Sequence, residues 1–255
     1  MIELYAHRGA STRCPENTIG AFRMGLALGA TAIETDAWMT RDRVVVLSHD
    51  MTGERMAARD EVIGANLLAD VQTWDVSKGF AGDRSSLTLE SRRMPTLVEA
   101  LTAFPDTVFN VDAKAGSAML EPLIQTVKSL KAEGRVRLAS FSSLVLHKAR
   151  DLGWRGPMGL GQEEIAAILS FPEKALNFRK WQGRAAQVPR WVGPVPVVSK
   201  RFIERCHRLD MTVHVWTIND AAEAVELMGL GVDALITDAP EVLAPVVFAN
   251  VRAAD

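Results

Sequence analysis

Cysteine is scarce in this sequence. Only Cys14 and Cys206 occur among 255 residues, and they lie far apart without the spacing of metal-ligating cysteines. Small proteins that depend on disulfides carry several cysteines in a short chain. The sequence therefore predicts two reduced thiols and excludes a disulfide scaffold.

An excess of charge of either sign is also missing. The formal net charge is -2 and the pI is about 6.2. Such a chain has no basic field that would attract nucleic acid and no polybasic patch for a membrane surface. We therefore expect no nucleic-acid partner.

Long apolar runs are absent as well. No uninterrupted apolar segment approaches the roughly 20 residues of a membrane-spanning helix. Near the amino terminus, Glu3 and the pair His7-Arg8 interrupt the apolar run, so it does not resemble a signal peptide. We expect a cytoplasmic protein without stable membrane insertion, and the sequence leaves its oligomeric state open.

Short apolar runs alternate with longer helical patterns along almost the whole chain. This alternation is typical of parallel strands joined by crossover helices, and the length is close to the ~250 residues of a TIM barrel. The sequence therefore predicts an α/β fold, a (β/α)8 TIM barrel. Its predicted strands are Glu3–Ala6, Thr31–Thr35, Val108–Asp112, Val136–Ser140, Pro157–Leu160, Ala185–Val188, Thr212–Trp216 and Ala234–Thr237.

One further apolar run, Val44–Leu47, follows the second predicted strand after only a few residues. A parallel crossover needs about a dozen residues or more, so this run must turn back as a hairpin arm beside the second strand. That geometry carries His49 toward the carboxyl end of the barrel. Residues 51–95 have weaker periodicity and are interpreted as a small insertion at the barrel mouth.

Polar side chains recur where the predicted strands end. In TIM-barrel enzymes the site lies at the carboxyl ends of the strands, so these residues are the candidates for function. Two spacings of two residues, Glu34-x-Asp36 and Asp112-x-Lys114, place each pair on one side of its strand. The candidates are His7, Arg8, Glu34, Asp36, His49, Asp112, Lys114 and Trp216.

Each candidate has a structural alternative when it is taken alone. A single histidine after a strand is more often structural or solvated than catalytic. The acidic pair Glu34 and Asp36 could cap or form salt bridges, and Arg8 and Lys114 could neutralise those acids. Aromatic packing at the rim is as good an interpretation of Trp216 as substrate contact. The shared position at strand ends is what favours a functional site.

Together the candidates suit the cleavage of a phosphodiester. Carboxylates supply the hard oxygen ligands that Mg²⁺ or Ca²⁺ prefers. Arginine and lysine can bind phosphate oxygens. Two histidines offer a general base and a general acid near neutral pH. Charge neutralisation, proton removal and proton donation are the three requirements of this reaction.

The sequence resembles the glycerophosphodiester phosphodiesterases. The most specific blocks are HRGASTRCPENTIGAF, GATAIETDAWMTRD and VVVLSHD, which span most of residues 7–50. MPTLVEAL, VHVWTIND and ALITDAP follow in the same order as in the family. The resemblance extends from residue 4 to about residue 243 and implies a TIM barrel with a small insertion near the second strand.

The resemblance also implies a role for each matching position. His7 and His49 match the acid-base histidines, Arg8 and Lys114 match phosphate contacts, and Glu34-x-Asp36 matches the metal-binding pair. The family usually has glutamate where this chain has Asp112, which we assign to the same metal. Arg43 stands where the family commonly has glycine in the hairpin turn. Trp216 is assigned to substrate binding.

The resemblance thus implies that residues 1–255 form a single phosphodiesterase domain that hydrolyses glycerophosphodiesters to sn-glycerol 3-phosphate and an alcohol. One divalent cation, Mg²⁺ or Ca²⁺, is the implied cofactor, and the sequence does not identify the alcohol. Two alternatives stay open. One is lysophospholipase D-type activity on the same scaffold, and the other is a non-catalytic barrel that binds phosphodiesters.

Overall fold

The computed structural model describes residues 2–252. Its strands are β1 Glu3–His7, β2 Ala32–Met39, β3 Val45–Leu47, β4 Val108–Ala113, β5 Val136–Ala139, β6 Ala185–Pro189, β7 Trp191–Val192, β8 Val195–Pro196, β9 Thr212–Trp216 and β10 Ala234–Thr237. Its α-helices are α1 Ile19–Ala27, α2 Glu54–Ala57, α3 Leu68–Val71, α4 Leu97–Ala103, α5 Leu120–Ser129, α6 Ser143–Asp151, α7 Gln162–Ser170, α8 Glu173–Leu176, α9 Lys200–Arg208, α10 Ala221–Leu230 and α11 Pro240–Arg252. Single turns of 3₁₀-helix occur at Ile63–Ala65, Leu89–Ser91, Gly116–Met119 and Glu133–Arg135.

Parallel strands form one curled sheet at the centre of the fold. Their order across the sheet is β5-β4-β2-β1-β10-β9-β6, and each neighbouring pair is parallel. Helices connect consecutive parallel strands of this sheet, as the crossover between parallel strands requires. The predicted fold class is confirmed, with the regular strands in residues 2–252 forming a half-barrel.

The predicted strand at Pro157–Leu160 is not a regular strand in the structure. It is reduced to two isolated parallel bridges, Leu138 with Met158 and Gly159 with Ala185, which lie between β5 and β6. Pro157 cannot donate a ladder hydrogen bond, and glycine weakens strand pairing. The backbone also packs closely at this position. A Cβ on Gly183 would lie 2.0 Å from the carbonyl oxygen of Gly159.

The hairpin arm is present as predicted. β3 runs antiparallel to the second half of β2, with Ala37 opposite Leu47 and Met39 opposite Val45. The turn between them contains Arg43 in the left-handed region, with φ of 64°. That conformation explains why glycine suits this position, although arginine adopts it here.

Residues 51–95 pack around a small core of their own against the hairpin arm. The buried side chains of this core are Val46, Ala57, Ile63, Val71, Trp74, Val76 and Met94. Larger clusters fill the space between the sheet and the surrounding helices on either side of the fold. None of the helices described within residues 2–252 is both long enough and apolar enough to cross a membrane.

Candidate active site

One cavity of about 610 Å³ brings all of the predicted site residues together. The residues that line it include His7, Arg8, Glu34, Asp36, His49, Asp112, Lys114 and Trp216. Strand register explains the convergence. Glu34 lies opposite His7 on β1 and opposite Asn110 on β4, while Asp36 lies opposite Asp112. β2 continues to Met39, so its two acids lie within the strand and not at its end.

The backbone at the end of β1 is shaped by two left-handed residues. Arg8 and Gly9 have φ of 58° and 86°, respectively. A Cβ on Gly9 would lie 2.5 Å from the carbonyl carbon of Ala21 in α1, so only glycine fits there. The turn places the Arg8 side chain in the cavity. Left-handed backbone at a non-glycine residue is uncommon and is often associated with functional sites.

The three carboxylates of the cavity are buried. Only 7%, 2% and 8% of the residue surface is accessible at Glu34, Asp36 and Asp112, respectively. Burial, together with the charge of Asp36, raises the pKa of Glu34 to about 8. Burial also raises the pKa of Asp112, although the charge of Lys114 opposes that effect. Gathering such groups is unfavourable unless a cation compensates for their charge.

The cations predicted to bind phosphate contact these carboxylates in the structure. Lys114 Nζ lies 3.0 Å from Asp36 Oδ1 and 2.7 Å from Asp112 Oδ2. Arg8 Nε lies 3.1 Å from Asp36 Oδ2. Burial lowers the pKa of Lys114, but the charges of Asp112 and Asp36 outweigh it and raise the pKa overall. The ammonium therefore stays charged beside both aspartates.

The donor set fits a hard divalent cation. Glu34, Asp36 and Asp112 provide only oxygen ligands, and Glu34 Oε2 is buried without a hydrogen-bond partner. Among residues 2–252, however, no three His, Cys, Asp or Glu side chains are already assembled as ligands. The Lys114 ammonium instead contacts both Asp36 and Asp112, two of the three proposed ligands.

Both histidines present the same ring atom to a carboxylate. His7 Nδ1 lies 2.7 Å from Asp238 Oδ1, and His49 Nδ1 lies 2.7 Å from Asp50 Oδ1. An ionised carboxylate can only accept, so each Nδ1 carries the proton and each Nε2 is left to exchange one. Burial lowers the pKa of His7, but the hydrogen bond to Asp238 and the charge of Glu34 raise it overall.

Asp238 and Asn17 contact residues of the site, and neither was predicted as a site residue from the sequence. Asp238 also accepts hydrogen bonds from Ser11 Oγ at 2.8 Å and Asn219 Nδ2 at 2.9 Å. Asn17 Nδ2 donates to Asp36 Oδ2 at 3.2 Å, and its backbone N–H donates to the carbonyl of Arg8. The signals available were the strand-end position of Asp238 and the motif that contains Asn17.

Most of the remaining residues that line the cavity are apolar. Trp216 lies in this lining and packs edge-to-face against Phe141, with ring centroids 6.0 Å apart. The apolar lining residues include Leu160, Ile165, Ala166, Leu169, Val188, Val192 and Val197. Phe141, Leu169 and Val192 are 49%, 44% and 60% exposed, so the wall continues to the surface. The cavity thus has one ionic side and one apolar side.

Fold and cavity together define the class: a TIM-barrel-like protein whose ionisable groups meet at one end of a parallel sheet. A sequence model of the glycerophosphoryl diester phosphodiesterase family matches residues 7–242. The chain belongs to this family, as the sequence motifs predict, and it is therefore a phosphoric diester hydrolase.

Individual relatives agree with this assignment. The chain is 34% identical to the "Probable glycerophosphodiester phosphodiesterase 2" of Mycobacterium tuberculosis, over 96% of this chain and 90% of the relative. It shares its fold with a glycerophosphodiester phosphodiesterase of Agrobacterium tumefaciens, with a TM-score of 0.78, 21% identity and coverage of 96% and 100%. A phosphodiesterase of Oleispira antarctica, solved in complex with the product sn-glycerol-3-phosphate, has a TM-score of 0.75 and 22% identity over 96% of each chain.

Proposed function

We propose that this cavity hydrolyses glycerophosphodiesters to sn-glycerol 3-phosphate and an alcohol, with the help of one divalent metal ion. The observation that supports the proposal is the single cavity itself. It contains two histidines whose Nδ1 atoms face carboxylates, a buried cluster of three acids, and two cationic side chains. Family membership and the product bound to the Oleispira relative point to the same chemistry.

Glu34, Asp36 and Asp112 would hold the metal ion, which we propose to be Mg²⁺ or Ca²⁺. When bound, such an ion stabilises negative charge on phosphoryl oxygens and lowers the pKa of a coordinated hydroxyl or water. The protein contributes the ligands, which burial keeps away from competing solvent. Asp112 is one methylene shorter than the glutamate usual in the family.

His7 and His49 would exchange protons through Nε2. One removes a proton from the attacking hydroxyl or water, and the other donates a proton to the departing alkoxide. His7 leaves β1, whereas His49 follows β3 of the hairpin arm, so the two rings enter the cavity from different elements. Asp238 and Asp50 keep the rings in the tautomer that this exchange needs.

Arg8 and Lys114 would neutralise the phosphodiester. A guanidinium binds two oxygens in a fixed plane, whereas an ammonium acts as a point charge. Orientation of the phosphate therefore depends more on Arg8 than on Lys114. The same charges already lie close to Asp36 in the protein without ligand.

We expect Arg8→Lys to lower kcat for glycerophosphocholine by about 10²-fold, because misplacement of a reacting group is costly even where its charge is kept. Steady-state kinetics measures kcat and KM separately and shows which of the two changes. A suitable control is Arg13→Lys, since Arg13 pairs with Glu241 at the surface. Wild-type kcat with only a raised KM would show that Arg8 does not orient the phosphate.

The proposed reaction is tested by ³¹P nuclear magnetic resonance. Glycerophosphocholine incubated with the full chain and Mg²⁺ or Ca²⁺ should give one phosphomonoester signal, that of sn-glycerol 3-phosphate. Release of phosphocholine instead would mean that the wrong ester bond is cleaved. The absence of any new signal would favour the non-catalytic, phosphodiester-binding alternative.

We further propose that the described elements belong to a single domain comprising residues 1–255. The small core of residues 51–95 packs on β3 through Val46. Cytoplasmic location and the absence of a nucleic-acid partner stay predictions from composition.

A second candidate function is lysophospholipase D-type hydrolysis, and the apolar wall of the cavity is what favours it. An acyl chain attached to the glycerol would find apolar contacts along α7 and the β7–β8 hairpin. The exposed side chains of Leu169 and Val192 continue this wall to the surface. Glycerophosphocholine has no such chain and would leave the wall unused.

Val192→Asp is expected to separate the two substrates. It should lower kcat/KM for lysophosphatidylcholine by about tenfold or more, because a carboxylate would replace an apolar contact. Hydrolysis of glycerophosphocholine should not change. Val225→Asp is the matched control, since Val225 is exposed on α10. If the wild-type chain does not hydrolyse lysophosphatidylcholine, or if both substrates are affected equally, this second function is wrong.

A further inference from the structure

Arg55 uses all three nitrogens of its guanidinium on two carboxylates. Its Nε donates to Asp50 Oδ2 at 2.6 Å, while Nη1 and Nη2 donate to the two oxygens of Glu16 at 3.0 and 2.6 Å. The contact with Glu16 is a bidentate fork, the geometry that an arginine provides and a lysine cannot. Arg55 is not among the residues that line the cavity in the described part of the chain.

Both partners of Arg55 contact proposed functional side chains with their own oxygens. Asp50 Oδ1 lies 2.7 Å from His49 Nδ1, and Glu16 Oε1 lies 3.2 Å from Arg8 Nη1. The hydrogen bonds form one continuous chain from Arg8 through Glu16, Arg55 and Asp50 to His49. The guanidinium of Arg55 therefore links Arg8, which we propose binds phosphate, to His49, one of the two proposed acid-base residues.

The insertion fixes the position of Arg55. Arg55 belongs to the short helix α2, whose Ala57 is fully buried in the core of residues 51–95. The backbone N–H of Gly79 donates to the carbonyl of Met56 at 2.9 Å. A Cβ on Gly79 would lie 2.0 Å from the carbonyl oxygen of Arg55, and one on Gly53 would lie 2.8 Å from the Trp74 ring. Helix α2 is thus held on both sides by its own segment.

Charge explains what Arg55 contributes. Its side chain is 46% exposed, and ion pairs of that exposure contribute little to overall stability. Without the guanidinium, Glu16 would retain Arg8 as its cationic partner and compete with phosphate for it. Asp50 would lose the donor that holds it against His49. The effect should therefore fall on catalysis more than on folding.

We propose that Arg55 is a positioning residue, through which the insertion of residues 51–95 orients His49 by way of Asp50 and Arg8 by way of Glu16. The inference rests on the function proposed above, because orientation is measured as turnover. It assigns to the insertion a part in building the site. It also predicts that Arg55 acts through the two cavity residues and not on the substrate directly.

The first test is steady-state hydrolysis of glycerophosphocholine by Arg55→Ala in the full chain, with Mg²⁺ or Ca²⁺ present. We expect kcat to fall by about 10–100-fold, as is typical when a residue that orients a functional group is lost. Arg55→Lys should recover only part of the loss, because an ammonium cannot bridge both carboxylates. Arg59→Ala is the matched control in the same segment, since Arg59 pairs with Glu61 and should leave kcat unchanged.

A double-mutant cycle with His49→Ala tests whether Arg55 acts through the site. Residues that work through one another show non-additive effects. Arg55→Ala should therefore cost markedly less in the His49→Ala background than in the wild-type background. Equal fold-losses in the two backgrounds would overturn the positioning role.

Circular dichroism and thermal unfolding distinguish orientation from misfolding. If Arg55→Ala does not fold, Arg55→Lys keeps the charge and should still lower kcat severalfold with an unchanged thermal midpoint. Wild-type kcat in a folded Arg55→Ala or Arg55→Lys variant would overturn the proposal and leave the proposed function intact. The absence of turnover by the wild-type chain would overturn both.

Discussion

Replacement of either His7 or His49 by alanine is expected to lower kcat for glycerophosphocholine by about 10²–10⁴-fold, the range for a lost general acid or base. Each ring has its Nδ1 held by a carboxylate at 2.7 Å, so each has one nitrogen free for the substrate. Rings on separate elements can serve the attacking and departing oxygens separately. His147→Ala in α6 is the control, because His147 belongs to none of these contacts.

The leaving group decides which histidine is the acid. A p-nitrophenyl phosphodiester releases an anion that needs no proton, so the variant without the acid should recover much of its activity on that substrate. The variant without the base should remain impaired on both substrates. Equal defects of both variants on both substrates would contradict a mechanism with two histidines of different roles.

Glu34→Gln should remove most of the activity without unfolding the chain. The substitution deletes a negative ligand and hardly changes the side-chain volume of a residue that is only 7% exposed. The carboxylate is costly to keep charged there, because burial raises its pKa to about 8 in the protein without metal. A negative charge at this position would therefore serve the cation and not the fold.

Titration calorimetry with Mg²⁺ and with Ca²⁺ measures this effect directly. Glu34→Gln should bind the preferred ion at least tenfold more weakly, while the thermal midpoint of the metal-free protein should not fall. Glu121→Gln is the control, since Glu121 is exposed and pairs with Arg43. Full activity of the wild-type chain after treatment with EDTA would contradict the metal's role.

The placement of the candidate site could be predicted because two local patterns determine it. Spacing by two puts Glu34 and Asp36 on one side of β2, and it puts Lys114, just beyond the end of β4, on the same side as Asp112. Parallel pairing in register then places Asp36 opposite Asp112. The hairpin arm followed from the short connection, which forbids a parallel crossover.

Other features depend on contacts between distant parts of the chain. Asp238 and His7 are brought together by the pairing of β1 with β10, which no local pattern indicates. The insertion's link from Arg55 to Glu16 likewise depends on how residues 51–95 fold around Trp74. The sequence left open whether Lys114 neutralises the acids of β2 or binds phosphate. Its simultaneous pairing with Asp36 and Asp112 depends on the local charge balance, which spacing alone does not give.

The weak strand at residues 157–160 shows a different limit of sequence patterns. An apolar run such as Met158 and Leu160 predicts a strand, yet the flanking Pro157 and Gly159 reduce its pairing to isolated bridges. Propensity identified the position in the barrel, but backbone chemistry decided how regular the strand became.

The most direct test of a metal-dependent phosphodiesterase is single-turnover hydrolysis of glycerophosphocholine, with enzyme in excess over substrate. The metal-free chain should leave the substrate intact, and addition of Mg²⁺ or Ca²⁺ should convert it to sn-glycerol 3-phosphate and choline in one exponential phase. Substrate that stays intact with either ion, although calorimetry shows it to be bound, would contradict the account and identify a binding protein.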